Sequence, residues 1–365
     1  MAKNDDQELF IDKLKAHQRK IDADITQYAK KMRKHTKEQY GEYALIETDA
    51  FLQILERGGK RLRGSLVILG YEMSGGKNDD MIIQVARVVE MAHAYFLIID
   101  DIQDRSDERR GGPTAHKILE KYHKEQRLNG DSEHFGMSVA LNAAIAGMHA
   151  AQMILANIDA AEALRLNASS IFNRTLSITA HGQTQDIVNG YLQDVNETEI
   201  NNVMTWKTAH YSVLNPLHMG MVLAGADCHD TDAVTMYATN IGKAYQITDD
   251  IIGIFGEASE TGKDQKSDLK EGKQTLLTWY VLTHGSHKDK EYLQSILGKN
   301  SVSDKELVRC QEIIRDSGAL DHARTTVDQL LEEALTSLDA SANHWSDEGV
   351  AFLRGLAQYL PTRMS

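Results

Sequence analysis

Only three prolines, Pro113, Pro216 and Pro361, interrupt 365 residues. Proline removes a backbone donor and clashes with the preceding turn of a helix. A chain that almost dispenses with it can run helix after helix. The aromatic share is low, 6%, while Ala, Leu, Ile, Glu and Lys are plentiful, so helix formers outnumber breakers and the expected fold is all-α. The breakers that do occur are grouped, at Gly58–Gly59, Ser74–Gly76, Gly111–Pro113 and Asn129–Asp131, and mark turns. Between them apolar residues recur at three and four: Ile82, Val85, Val88, Val89, Ala92, Phe96 and Ile99 predict one amphipathic helix. A second runs through 232–255. A polar, lysine-bearing stretch over 256–275 follows, and then further amphipathic helices. No internal repeat, low-complexity linker or shift of composition marks a boundary, so a single domain over 1–365 is expected, with residues 1–8 as a tail.

With 42% hydrophobic residues the chain can bury a large core. Its formal net charge of −13 argues against nucleic acid as a partner, because phosphates require a basic surface. Cys228 and Cys310 lie far apart without metal-ligand spacing, which fits a reduced cytoplasm. The opening MAKNDDQELF lacks the basic and apolar regions of a signal peptide. The segment 138–158 comes nearest to a membrane span. It carries Asn142, His149, Gln152 and Asn157, polar groups costly at mid-bilayer, and reads as a central helix packed on all sides rather than a transmembrane segment.

Chemistry concentrates at YFLIIDDIQD, residues 95–104, where an apolar run ends in three carboxylates. On a helix Asp100 and Asp104 share a face one turn apart, and Asp101 flanks it. Like charges at that spacing repel, and a divalent cation relieves them; magnesium takes one or two carboxylates plus phosphate oxygens. YQITDD, 245–250, ends another apolar helix in Asp249 and Asp250. Two helices that each end in paired aspartates can face one another across a bundle and build a metal site. Two basic runs accompany them: GGKRLRG with Lys60, Arg61 and Arg63, and ERRGGPTAH with Arg109 and Arg110. Guanidinium and ammonium groups are the usual partners of phosphate oxygens. Taken together, the residues suggest a diphosphate held directly by Arg and Lys and indirectly through metal.

These stretches, in this order, resemble the trans-isoprenyl diphosphate synthases over roughly residues 55 to 285. GGKRLR (58–63) resembles the family's GGKRxRP, with Gly64 in place of proline. EMAHAYFLIIDDIQDRSDERRGGPTAH (90–116) resembles its first aspartate-rich region. GQTQD (182–186) resembles GQxxD, and KTA (207–209) its KT pair. YQITDDIIG with TGKDQKSDLKEGKQT (261–275) resembles the second aspartate-rich region and lysine loop. Any one match is weak, but six in order are specific.

The resemblance implies antiparallel helices around a deep central cavity, a homodimer, and head-to-tail condensation of isopentenyl diphosphate with an allylic diphosphate. It implies magnesium, three ions bound with the allylic diphosphate. Asp100, Asp104 and Asp249 would ligate the metal, supported by Asp101 and Asp250. Arg109, Lys207 and Lys263 would hold the allylic diphosphate. Lys60, Arg63, His93 and Arg110 would hold that of isopentenyl diphosphate. Thr208 and Gln246 would line the reacting centre. Lys266, Lys270 and Lys273 are expected on a solvated lid, with Lys273 able to approach the diphosphate on closure. Tyr95 and Phe96, about one helical turn before Asp100, would form the cavity floor and give a short product, farnesyl before geranylgeranyl diphosphate. The family's second motif often reads DDxxD, whereas position 253 here is Gly, which leaves metal affinity in question. Rival readings are a terpene cyclase, which needs no pocket for a second diphosphate, and a non-catalytic subunit of a heteromeric prenyl synthase, which usually lacks some of these aspartates or basic residues.

Overall fold

The computed structural model describes residues 2–192, 194–256 and 265–363. They are helical almost throughout: α1 (Ala2–Tyr40), α2 (Glu42–Glu56), α3 (Leu62–Met73), α4 (Asp79–Gln103), α5 (Ala115–Glu125), α6 (Ser132–Ala156), α7 (Glu162–Asn189), α8 (Glu197–Val203), α9 (Asn215–Leu223), α10 (Cys228–Phe255) and six further α-helices between Ser267 and Thr362 among the described residues. Each turn anticipated from the sequence falls between helices. At Glu108–Arg109 and Gly112–Pro113 the chain forms a two-stranded antiparallel ribbon. Its connection, Arg110–Gly111, has positive φ at both residues, the requirement of a tight hairpin turn that matches strand twist. Where a tail is expected over 1–8, the chain is helical from Ala2. Asp6 lies 3.6 Å from Arg354, and Phe10 packs edge-to-face on Phe352 at 4.9 Å.

The chain divides into two compact units. One comprises Asp12–Ser169 with Met219–Gly225; within it α4 packs on α2, α3 and α6, and α6 on α5. The Asn78 side chain caps α4 by accepting from the Met81 amide, and Asp79 and Asp80 complement the positive end of its dipole. Ile82, Val85, Val88, Val89 and Ala92 are buried as the periodicity predicts. Gly64 lies in the first turn of α3. Its N–H donates to Glu90 Oε1 at 2.9 Å, a bond proline could not make, and a Cβ there would lie 2.9 Å from Ile21 Cδ1. α6 departs from expectation. Ala140, Ala143, Ala144, Gly147 and Ala151 are buried, yet Leu141, Ile145 and Met153 on the same helix are exposed. It packs on one face, not on all sides.

The other unit comprises Met1–Ile11, Ser170–His218 and Ala226–Ser365. Here α10 packs on the Ala319–Ser341 helix and on a wide π-helical segment, Met204–Leu214, that the sequence did not announce. α4 and α6 are both long and apolar enough to cross a membrane by length and composition alone. α4 ends in the aspartates of the first acidic group, which fits a core helix better than a span.

Candidate active site

The first group of predicted residues gathers at the C-terminal end of α4. Helix C-termini carry partial negative charge, so Asp100, Asp101 and Asp104 stand where carboxylates are least favoured. Arginine offsets part of this. Arg109, carried by the ribbon, donates through Nε to Asp101 Oδ1 at 2.7 Å, and its Nη2 lies 3.5 Å from Asp100 Oδ2. Asp101 is fully buried, and its Oδ2 has no hydrogen-bond partner. Burial pushes its carboxyl up to about 6 despite Arg109, with Asp100 and Asp104 adding repulsion. Asp100 and Asp104 are part-exposed beside it. Asp101 therefore serves to aim Arg109, while Asp100 and Asp104 remain on the outer face.

The basic residues sort by direction. Arg61 turns inward, bound to Asp22 at 2.8 Å, Glu90 at 3.2 Å and the Leu55 carbonyl at 2.7 Å. Lys60 is exposed. Arg63 Nη1 and Arg110 Nη2 approach His93 Nε2 at 3.5 and 3.1 Å. Burial, then the charges of Arg63 and Arg110, hold His93 well below its ordinary pKa, so the ring is neutral and its Nε2 accepts from both guanidinium groups. The Gly58–Gly59 pair makes room for this: Arg110 donates to the Gly58 carbonyl, and a Cβ on Gly59 would lie 3.1 Å from its guanidinium carbon. Two guanidinium groups held by one neutral imidazole form a site for an anion. His116 is buried and bonded to Thr114 at 3.2 Å. Tyr95 and Phe96 meet edge-to-face at 5.0 Å, and both are part-exposed.

The second group lies along α10 and the π-helix. Lys207 Nζ bonds Asp186 Oδ2 at 2.6 Å. Thr208 donates to Gln246 Oε1, whose amide donates to Asp250 Oδ1 at 2.7 Å. Burial, then repulsion from Asp268, Asp186 and Asp249, raises the Asp250 carboxyl well above the carboxylate range. Asp249 pairs with Arg363 at 2.8 Å, and that guanidinium rests 4.9 Å over the Tyr245 ring. Lys273 is not solvated: it pairs with Asp268 and Glu271. Lys266 pairs with Asp304 at 2.6 Å. Lys263 lies outside the described residues.

Known proteins decide the family. A family model described as polyprenyl synthetase matches residues 46–314. The chain belongs to the polyprenyl synthetase family. It is 30% identical, over 85% of its length and 89% of the relative's, to a geranylgeranyl diphosphate synthase of Sulfolobus acidocaldarius. It is likewise 30% identical, over 71% and 68%, to a (2E,6E)-farnesyl diphosphate synthase of Mycobacterium bovis. A crystal structure of geranylgeranyl pyrophosphate synthase from Corynebacterium glutamicum, complexed with isoprenyl diphosphate and magnesium, superposes with a TM-score of 0.86 at 28% identity, over 98% of both chains. The all-α expectation holds, and so does the trans-isoprenyl diphosphate synthase resemblance.

The donors suit magnesium. Among the described residues no three His, Cys, Asp or Glu side chains form a ready-made metal cage, and magnesium is bound through one or two carboxylates plus substrate phosphates rather than by such cages. The end of α4 offers hard carboxylate oxygens, and so, in the other unit, does the end of α10, where burial and then like-charged neighbours push the Asp250 carboxyl up; each group by itself has the oxygen donors that magnesium takes. Sequence reasoning passed over three participants. Asp186 sat inside a quoted motif without a role. Asp268 sat in the lysine stretch. Arg363 carried no signal at all, since only folding brings it to Asp249.

Proposed function

We propose that the protein condenses isopentenyl diphosphate head-to-tail with an allylic diphosphate to give a short (E)-prenyl diphosphate. The observation that supports it most is the Arg63–His93–Arg110 cluster, an anion site distinct in its residues from the aspartate–Arg109 group. A terpene cyclase has no use for a second diphosphate site. A regulatory subunit usually loses some of these aspartates or basic residues, and here Asp100, Asp101, Asp104, Asp249 and Asp250 are all present.

Asp100, Asp104 and Asp249 would hold magnesium, three ions by the family pattern, with Asp101 and Asp250 behind them. The metal would neutralise the allylic diphosphate and so make it a competent leaving group. Arg109, Lys207 and Lys263 bind the same diphosphate and stabilise the charge that collects on it as the C–O bond breaks. Lys60, Arg63, His93 and Arg110 hold isopentenyl diphosphate, and Lys273 adds positive charge at the second group. The oxygens of Thr208 and Gln246 face the developing carbocation, and an apolar wall excludes the water that would trap it. The double bond of isopentenyl diphosphate attacks, and a proton leaves to the released diphosphate.

Tyr95 and Phe96 support a short product. They are part-exposed rather than sealed in core, and they stand one turn before the metal-bearing face. Farnesyl diphosphate is the product this floor favours; geranylgeranyl is the second reading, favoured by the Sulfolobus and Corynebacterium relatives. A homodimer in the cytoplasm completes the proposal.

The test incubates the protein with magnesium, labelled isopentenyl diphosphate and five-, ten- or fifteen-carbon allylic primers, and sizes the products. Magnesium-dependent chain growth is expected. Tyr95→Ala with Phe96→Ala should lengthen the product; an unchanged length sinks the floor assignment, and no incorporation with any primer sinks the synthase reading.

A further inference from the structure

Gln18 and Asp22 stand one turn apart on α1, ahead of every motif in the sequence. Both bond the Gly58–Arg61 loop that leads into α3. Gln18 Nε2 donates to the Gly59 carbonyl at 2.8 Å, and Asp22 Oδ1 accepts from Arg61 Nε at 2.8 Å. Arg61 is strained and almost sealed from water. Its φ of 51° is left-handed, a conformation that a side chain other than glycine keeps only where its surroundings impose it, and its side chain is 2% exposed. Those surroundings come from four helices. Besides Asp22 of α1, Arg61 binds the Leu55 carbonyl of α2 and the Glu90 carboxylate of α4. The other oxygen of Glu90 accepts from the Gly64 amide in the first turn of α3. Glu90 stands three residues before His93 on one face of α4, and it is buried where His93 is part-exposed. Two layers result. Arg61, Glu90 and Asp22 form the inner one, and the anion site of Arg63, His93 and Arg110 forms the outer one. The loop joins them, because Arg110 donates to the Gly58 carbonyl while Gln18 binds that of Gly59.

We propose that Asp22 and Gln18 of α1 are positioning residues for isopentenyl diphosphate: through Arg61 and Gly59 they fix the loop that aims Lys60 and Arg63. Lys60 immediately precedes Arg61, and Arg63 follows it two residues on, so a loop that shifts carries both cations with it. A donor displaced from its phosphate oxygen loses its bond steeply with distance and angle. The allylic side is set otherwise, since Arg109 takes its direction from Asp101. The proposal rests on the synthase reading above. It makes affinity for isopentenyl diphosphate, rather than turnover or affinity for the primer, the quantity that α1 sets.

Steady-state kinetics with each substrate varied in turn tests it, beside thermal unfolding, and Asp24 supplies the control. Asp24 lies two residues from Asp22 on α1 and pairs with Arg87 of α4. It is the more buried of the two aspartates, 21% exposed against 41%, and its partner carries no loop. Asp22→Asn should raise the KM for isopentenyl diphosphate about five- to tenfold, the size of one charge-assisted hydrogen bond at a part-exposed carboxylate, and leave kcat and the KM for the allylic primer within about twofold. Asp24→Asn should lower the melting temperature at least as much and leave both KM values as in the wild type, which separates positioning from a merely structural role. Gln18→Ala uncovers no buried charge and should raise the same KM about two- to threefold, so it decides the matter if Asp22→Asn fails to fold. If Asp22→Asn, or Gln18→Ala in its place, moves both KM values alike, or moves that for isopentenyl diphosphate no more than Asp24→Asn does, the inference is overturned while the synthase reading stands. A wild type that consumes no isopentenyl diphosphate with any primer overturns both.

Discussion

Burial decides the charge of single residues here, and His218 isolates the effect from the chemistry. Its Nε2–H donates to the Thr231 carbonyl at 2.8 Å, and desolvation, the main cause, pushes its pKa down to about 4 from 6.5. The folded chain therefore binds fewer protons than the unfolded chain between those values. Stability is present in full above pH 6.5 and is lost as the pH falls towards 4. At pH 5 the loss from this one ring is about 2 kcal/mol. Thermal unfolding of the wild type and of His218→Gln, each at pH 7.5 and 5, should show the difference between them shrinking by that amount; a constant difference would mean that the ring titrates normally in the fold. The same reasoning explains what the sequence could and could not disclose about site residues. Asp100, Asp101 and Asp104 are legible because three acids after an apolar run are anomalous on their own. Arg61 and Arg63 look alike in GGKRLR, and only the fold reveals that one is bound by Asp22 and Glu90 while the other faces His93.

Among the elements, the π-helix carries the largest consequence. Its width brings Lys207 to Asp186 and Thr208 to Gln246, and such segments are commonly found at functional sites. Two glycines on its neighbours admit it. A Cβ on Gly182 of α7 would lie 2.4 Å from the Lys207 amide nitrogen, and one on Gly242 of α10 would lie 2.3 Å from the Ala209 Cα. Neither neighbour is a side-chain tip that could swing aside; both are backbone. Gly242→Ala should therefore displace the π-helix, lowering stability by about 1–3 kcal/mol and turnover by more than the stability loss explains, since Thr208 moves off Gln246. Far-UV circular dichroism should stay helical while the rate falls; a variant with wild-type kinetics would show that the two helices can separate without harm. The helices themselves were legible because proline is scarce and glycine pairs mark their ends. The π-helix was not, because its apolar residues repeat too irregularly over eleven positions to distinguish it from an ordinary helix. Nor could periodicity reveal that α6 keeps one face uncovered, because Ala, Ile and Leu surround it on all sides in sequence.

At the scale of the whole molecule, a net charge of −13 on a 40.8 kDa chain opposes indiscriminate association, so an apolar face left on such a surface calls for a specific cover. α6 presents one. Leu141, Ile145 and Met153 are 41%, 52% and 68% exposed, and they fall four and eight residues apart along the helix. His149 and Asn142 lie among them, polar groups that a water-facing or protein-facing surface accepts and a bilayer core does not. Apolar stripes with a polar admixture are what a self-complementary contact about a two-fold axis requires, because each residue then meets the same patch on a second copy. The expected mass in solution is twice 40.8 kDa. Ile145→Glu with Leu141→Glu places four carboxylates in a two-fold contact and should yield monomers at micromolar concentration, with the helix content kept because neither residue is in the core. Sedimentation equilibrium reads this directly. A wild type that sediments as a monomer would remove the face from consideration as a dimer contact, and a double variant that remains dimeric would place the contact on another element.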